Sequence, residues 1–442
     1  MLGSAAVLRQ FVDDDLGCAS YLIADPDAGE AILVDPAYWT EPYLEAADEA
    51  GVRIVRVLET HTHADHVSGH GRLALEHGIP TSVHPAGEPE HPFEALADGD
   101  VVCAGSIAVR VVHTPGHRPE HCAFVVDGRQ VLTGDSLFVG DAGRPDLAVD
   151  AVEGAHGMYR SLQRLLELPD TADVFPGHVA GSLCGTAMRP DRSSTIGAER
   201  RTNAMLTFAA EDDFVSATTT VTTPRPPTTA RVVALNRGPF IGAAAPIEEV
   251  RDPSGMTVLD VRSADSHFAG HLRGAISVPV SGASFATKAG FLLDPDERIV
   301  LHAGSRDEAE LAARGLRSVG FLDLAGYLVD AEATEPGAPV ALDELERLLA
   351  DGHVQVVDVR EKSERDAGYI PGTLHIPYRL LRACGGDGLD PARPVVTICE
   401  SGARAGVAAS VLAASGVDAR PVLHGGIADW AGKTVCFRRC GS

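Results

Sequence analysis

The chain has 442 residues and a formal charge of −25, from 37 basic and 62 acidic side chains. That balance excludes sequence-independent nucleic-acid binding and adhesion to anionic membranes, since both need basic surfaces, and the length calls for two to four domains, each with its own core. The start lacks a basic segment leading into a long apolar core, no apolar run is long enough to span a bilayer, and the eight cysteines are irregularly spaced, so a cytoplasmic protein with reduced thiols is expected.

The first region alternates short apolar runs with helical patterns, and metal-ligating residue types fall where the apolar runs end. The run 54–58 leads to Thr60-His61-Thr62-His63-Ala64-Asp65-His66, three imidazoles and a carboxylate in seven residues. So many ligand types are costly to desolvate together unless a cation offsets them, and the mixture suits zinc, iron or manganese. The run 107–112 reaches His117 through Thr114-Pro115-Gly116. A hairpin turned at Asp127-Gly128 ends on Asp135, and the run 174–177 ends on His178. Strands that end on one rim of a layered sheet bring such loops to a common cleft.

From about 191 to 236 the pattern is helical, then loosens into a Thr/Pro stretch over 218–229 that predicts an exposed, extended connection. The chain then repeats itself. Val258-Leu259-Asp260-Val261-Arg262 returns as Val356-Val357-Asp358-Val359-Arg360, an offset of 98 residues from Asp260 to Asp358. Each copy predicts a small α/β module. In the last one the strand 395–398 delivers Cys399-Glu400-Ser401-Gly402-Ala403-Arg404, and 405–414 reads as a helix. A thiol at a strand-to-helix turn faces loop N–H groups and the helix N-terminus, and Arg404 adds positive charge, so Cys399 is expected to be a nucleophile or persulfide carrier. In the middle module Ala303 falls opposite Cys399 and Glu308 opposite Arg404, which predicts a spacer or docking role. Cys18 and Cys184 are weaker candidates for holding sulfur near the metal, and Cys103 and Cys122 are expected in the core.

The Asp-Val-Arg strand, the loop from Cys399 to Arg404 and Gly425-Gly426 before Trp430 resemble a rhodanese domain, and the middle module resembles an inactive one. The first half, with its His-x-His-x-Asp-His motif, Thr114-Pro115-Gly116-His117, Gly134-Asp135 and Pro176-Gly177-His178, resembles the metallo-β-lactamase fold, an αββα sandwich. The run from Gly140 to Leu147 and Gly181-Ser182-Leu183-Cys184-Gly185 look more like persulfide dioxygenases than thioester hydrolases. The whole is similar to persulfide dioxygenase–rhodanese fusion proteins. The expected fold is thus a multi-domain α/β protein with an αββα domain at 1–240, an inactive rhodanese-like domain at 241–336 and an active one at 337–442.

For that family the resemblance implies one Fe(II) per chain, held by His61, His117 and Asp135, with His63, Asp65, His66 and His178 around it. It also implies oxidation of a low-molecular-weight thiol persulfide by O₂ to sulfite, with Cys399 and Arg404 exchanging sulfane sulfur between sulfite and thiosulfate. Arg144 is the candidate partner for a substrate carboxylate. The four surrounding groups also complete the ligand set of a dinuclear zinc thioester hydrolase, the alternative reading, and a third reading is a sulfur relay with a structural metal. A homo-oligomer is expected, with the middle module available as an interface.

Overall fold

The computed structural model describes residues 6–179, 187–220, 224–329, 331 and 334–437. Its contacts divide the chain into two compact units, Met1–Ala244 with Arg317–Gly320, and Ala245–Leu316 with Phe321–Ser442.

The first unit is built on two six-stranded mixed sheets. One runs from Val7–Val12 through Ala19–Asp25, Glu30–Val34, Arg53–Leu58 and Thr81–Val83 to Glu94–Ala95. The other runs from Ser194–Thr195 through Asp173–Pro176, Gln130–Gly134, Cys122–Val126 and Ile107–His113 to the edge strand Val101–Ala104. Strand side chains alternate between faces, and here the alternation sorts them into layers. Tyr21, Ile23, Ile32 and Val34 meet Val109, Val111, Phe124 and Leu132 between the sheets. Leu22, Ala31 and Leu33 face the helices Glu41–Ala50 and His70–His77, while Val112, Val125 and Val174 face Ala151–Leu165 and Glu211–Thr219. The result is the αββα sandwich. Cys122 is in the core, whereas Cys103 is exposed on the edge strand, where only alternate residues are covered.

The hairpin between Cys122–Val126 and Gln130–Gly134 turns at Asp127 and Gly128, with φ of 48° and 69°. Positive φ at both central residues matches the right-handed twist of the flanking strands. The Thr/Pro connection is shorter than its composition implies. Thr218 and Thr219 close one helix and Thr229 opens the helix Thr229–Arg237, since hydroxyls of Thr218 and Thr219 bond back to the carbonyls of Phe214 and Val215.

The second unit holds two four-stranded parallel sheets with the same strand order. Thr257–Asp260 pairs with Ile299–His302 as Gln355–Asp358 pairs with Val395–Ile398. Buried on both faces, these strands carry apolar residues at consecutive positions, with Asp260, His302 and Asp358 at their ends. The helix Ala403–Ala414 is buried from Ala405 through Leu412. Part of its cover is the middle module, whose Ser277 N–H donates to Ser410 Oγ at 2.9 Å. No helix among the described residues is long and apolar enough to cross a membrane.

Candidate metal centre and cysteine loop

Four strands of the first unit end on one rim. Leu58 leads into the histidine-rich heptapeptide, His113 into the turn to His117, Gly134 into Asp135, and Pro176 into His178. Ligand atoms of His61, His117 and Asp135 lie within 4.8 Å of one another, and all three residues are buried.

Hydrogen bonds behind these side chains decide which atoms face inward. The Thr60 hydroxyl donates to Asp35 Oδ2 at 2.8 Å, so it accepts from His61 Nδ1 at 2.9 Å and leaves His61 Nε2 as the free lone pair. His117 Nδ1 donates to the Arg144 carbonyl at 3.0 Å, which leaves its Nε2 3.4 Å from Asp135 Oδ2. That Oδ2 is buried with no hydrogen-bond partner among the described residues. Two neutral imidazoles oriented by outer partners and an uncompensated carboxylate oxygen are the donor set of a transition-metal site. The residues present therefore fit a cation of the kind this fold carries. Burial holds His61 and His117 below the ordinary histidine range, keeping them as neutral ligands. Burial opposes ionisation of Asp135, but the charge and hydrogen bond of His178 overcome it and hold the carboxyl well below the usual range.

The other residues of the motif are engaged around this set. His178 donates to Asp135 Oδ1 and Asp65 Oδ2, both at 2.8 Å, and so stands between two carboxylates. His63 Nε2 lies 3.1 Å from Glu59 Oε2 and 3.3 Å from Asp35 Oδ1. Burial opposes its charge, yet those two carboxylates raise it well above the ordinary range. Its Nδ1 has no hydrogen-bond partner among the described residues. Asp65 and His66 adjoin each other at 3.3 Å, next to the Cys18 thiol. Arg144 is held by Asp146 through two parallel bonds of 2.6 and 2.8 Å, so a substrate carboxylate would compete with Asp146 for it. Cys184 lies outside the described residues.

Three supporting residues escaped the sequence reading. Asp35, at φ 48°, closes the strand Glu30–Val34 and takes both the N–H and the hydroxyl of Thr60. Its place at a strand end was the available signal. Glu59 binds His63, His70 and the Ser68 hydroxyl, and its position directly before the heptapeptide marked it only weakly. His121 Nε2 accepts from the Asp135 N–H at 2.9 Å while Nδ1 donates to Thr114 Oγ1 at 2.8 Å, which pins the backbone under the ligand. Burial lowers His121 to about 3, so it is a neutral strut. Gly134, at φ 48°, passes so close that a Cβ would lie 2.6 Å from His121 Nε2.

In the second unit Cys399 is 1% exposed at the end of its strand, and the Gly402 N–H donates to its Sγ at 3.1 Å. Gly402 has φ 99°, and a Cβ there would sit 1.9 Å from the Leu423 carbonyl oxygen. Arg404 forms a bidentate pair with Glu364 at 2.6 and 2.7 Å, which raises the arginine further. Arg360 ties Asp358 to Glu400 of the loop. Such a loop can present sulfur to an anion.

The family model described as Metallo-beta-lactamase superfamily matches residues 13–178, and the model of the Rhodanese-like domain matches 245–330 and 341–433. The mitochondrial persulfide dioxygenase of Bos taurus is 29% identical over 228 residues, which span 51% of this chain and 85% of that protein. A hydroxyacylglutathione hydrolase of Methylococcus capsulatus is 40% identical over 164 residues, 36% of this chain and 60% of that protein. The crystal structure of a metallo-beta-lactamase from Staphylococcus aureus subsp. aureus COL is similar with a TM-score of 0.68 and 30% identity, covering 74% of this chain and 98% of that one. The chain belongs to the metallo-beta-lactamase superfamily, its sandwich domain related to persulfide dioxygenase and followed by two rhodanese-like domains.

Proposed function

We propose that the first domain is a persulfide dioxygenase holding one ferrous iron on His61, His117 and Asp135, and that Cys399 exchanges sulfane sulfur with its product. The observation that carries this reading is the convergence of two histidines and one carboxylate while His178 stands hydrogen-bonded between Asp135 and Asp65. A facial set of two imidazoles and one carboxylate leaves positions open for two reactants. Bound there, iron supplies the redox chemistry by which O₂ oxidises the terminal sulfur of a low-molecular-weight persulfide. Overall, persulfide, O₂ and water become thiol, sulfite and two protons. The Thr60 hydroxyl and the Arg144 carbonyl keep His61 and His117 in the tautomers that present Nε2, and His178 keeps Asp135 ionised. Arg144 would position a substrate carboxylate by exchanging Asp146 for it. Sulfite then takes the outer sulfur of a Cys399 persulfide as thiosulfate and leaves the Cys399 thiolate, or the same exchange runs in reverse. The thiol carrier is open between glutathione, coenzyme A and their like.

An anaerobically purified, iron-loaded chain carrying Cys399→Ala is expected to consume O₂ and release sulfite when given a persulfide, and His117→Ala is expected to lower the rate at least about 100-fold. Absence of oxygen uptake in the iron-loaded parent would refute the reading. Likeness to the hydroxyacylglutathione hydrolase supports a second reading, a dinuclear zinc thioester hydrolase that recruits His63, Asp65, His66 and His178. Thioester hydrolysis by the zinc-loaded chain, without oxygen uptake by the iron-loaded one, decides for it.

A further inference from the structure

The module that lacks the thiol and the arginine lacks a third group. At the 98-residue offset Tyr378 falls opposite Val280, and the two hold one place in the frame: the Tyr378 N–H donates to the Val359 carbonyl at 3.0 Å as the Val280 N–H donates to the Val261 carbonyl at 2.9 Å. All four strands of the active-type sheet are parallel. The chain leaving Leu374–His375 therefore reaches Tyr378 on the same carboxyl edge that carries the loop from Cys399 to Arg404, the edge where open α/β sheets bind ligands. The short helix that Tyr378 opens packs against Ala403–Ala414, and Arg404 lies near enough to both the Tyr378 hydroxyl and the Cys399 thiol for its charge to act on each.

The ring of Tyr378 is held in place. Only 8% of the residue is exposed, and Phe291 of the middle module meets the ring edge-on at 6.4 Å. Burial pushes the phenol up to about 12, so at neutral pH it is a donor. A buried tyrosine hydroxyl ordinarily finds a partner, yet this one makes no hydrogen bond among the described residues. The cations around it are already engaged, Arg404 with Glu364, Arg379 with Glu361, and Arg360 with Asp358 and Glu400.

We infer that Tyr378 is a substrate-binding residue of the exchange at Cys399, its hydroxyl donating a hydrogen bond to a sulfonate oxygen of thiosulfate and, after transfer, to the sulfite that leaves. The inference rests on the reading of Cys399 as a sulfane-sulfur carrier. In that step the Cys399 thiolate attacks the outer sulfur of thiosulfate, the S–S bond of thiosulfate breaks, sulfite departs with the electron pair, and the new S–S bond is the Cys399 persulfide. Negative charge gathers on the sulfonate oxygens as the bond breaks, and a fixed neutral donor there stabilises it. The proton stays on Tyr378 throughout, and the reverse exchange uses the same bond to hold incoming sulfite.

The test separates the two half-reactions in the full chain. Tyr378→Phe keeps the ring and its packing and removes only the donor. Loading of Cys399 from subsaturating thiosulfate is expected to slow at least about 10-fold, the loss of one hydrogen bond to a charged group, while discharge of the loaded persulfide to cyanide, which brings no sulfonate, should slow less than about 3-fold. Inhibition of loading by sulfite should weaken by a factor similar to the loss in loading. Loading as fast as in the parent, or loading and discharge slowed alike as a structural role would have it, would overturn the inference and leave the carrier reading standing. Failure of the parent itself to load from thiosulfate would overturn the carrier reading and this inference with it, so the parent alone tells the two failures apart.

Discussion

The two rhodanese-like modules share a frame and differ at the loop it carries. In the middle module Arg262 grips Asp260 at 2.9 and 2.6 Å and reaches the Gly270 carbonyl, as Arg360 grips Asp358 at 3.1 and 3.0 Å and reaches the Gly368 carbonyl. The Asp-Val-Arg signature is thus a clamp at the strand end. Beyond it the modules part. The active-type loop gives its Gly402 N–H to sulfur and sets Arg404 beside it, whereas the middle loop gives its Gly304 N–H to the carboxylate of Glu308. There that N–H is spent on the loop's own acid instead of being offered to a thiolate. The frame is therefore separable from the chemistry, and the module that has Ala303 in place of the thiol also has Glu308 in place of the arginine.

The largest effect that would test this contrast is at the thiol itself. Cys399→Ala is expected to lower thiosulfate-to-cyanide sulfur transfer by at least about 10³-fold, because no other group takes over as the nucleophile. Ala303→Cys on that background is expected to restore none of it, since Glu308 opposes a thiolate there; recovery of transfer would break the comparison. Next comes the turn. Gly402→Ala meets the Leu423 carbonyl and a φ of 99°, so a loss of at least about 1–3 kcal/mol is expected in denaturant unfolding, with transfer falling alongside. Arg306, the equivalent residue, begins an ordinary helix, and Arg306→Gly should cost no more than about 1 kcal/mol.

The smallest effect concerns pH. Asp260 is held by His267 at 2.9 Å where Asp358 is held by Arg365 at 3.2 Å. Burial lowers His267 below the ordinary histidine range, against the pull of Asp260. A histidine depressed in the folded state contributes stability above the unfolded pKa of about 6.5 and loses it as pH falls toward the folded value. Hydrogen-exchange protection over the strand Thr257–Asp260 should therefore drop between pH 7 and 5.5, and His267→Gln should flatten that drop. Arginine does not titrate there, so Gln355–Asp358 should show little change. Equal slopes in the two strands would remove this part of the contrast.

The sequence by itself determined the layered α/β architecture, the repeat and the positions where reactive groups stand. Period-two apolar runs, the Asp127-Gly128 turn and the strand-end placement of His61, His117, Asp135 and His178 are local signals, and local sterics and burial are what they encode. The missing thiol at Ala303 was equally legible, because the strands Ile299–His302 and Val395–Ile398 keep one register against their partners. What only the tertiary structure decided was the use of each polar group. Asp35 lies 25 residues from Thr60 and His178 lies 113 from Asp65, and Arg144 meets His117 through its backbone carbonyl, an atom every residue has. A side chain's protonation and partner depend on burial and on neighbours brought in from distant strands, which composition and spacing do not carry. For that reason the heptapeptide announced a metal, while the hydrogen bonds of Thr60, His178 and Arg144 sorted its side chains, and the thiol of Cys18 joined Asp65 and His66 only in the folded chain.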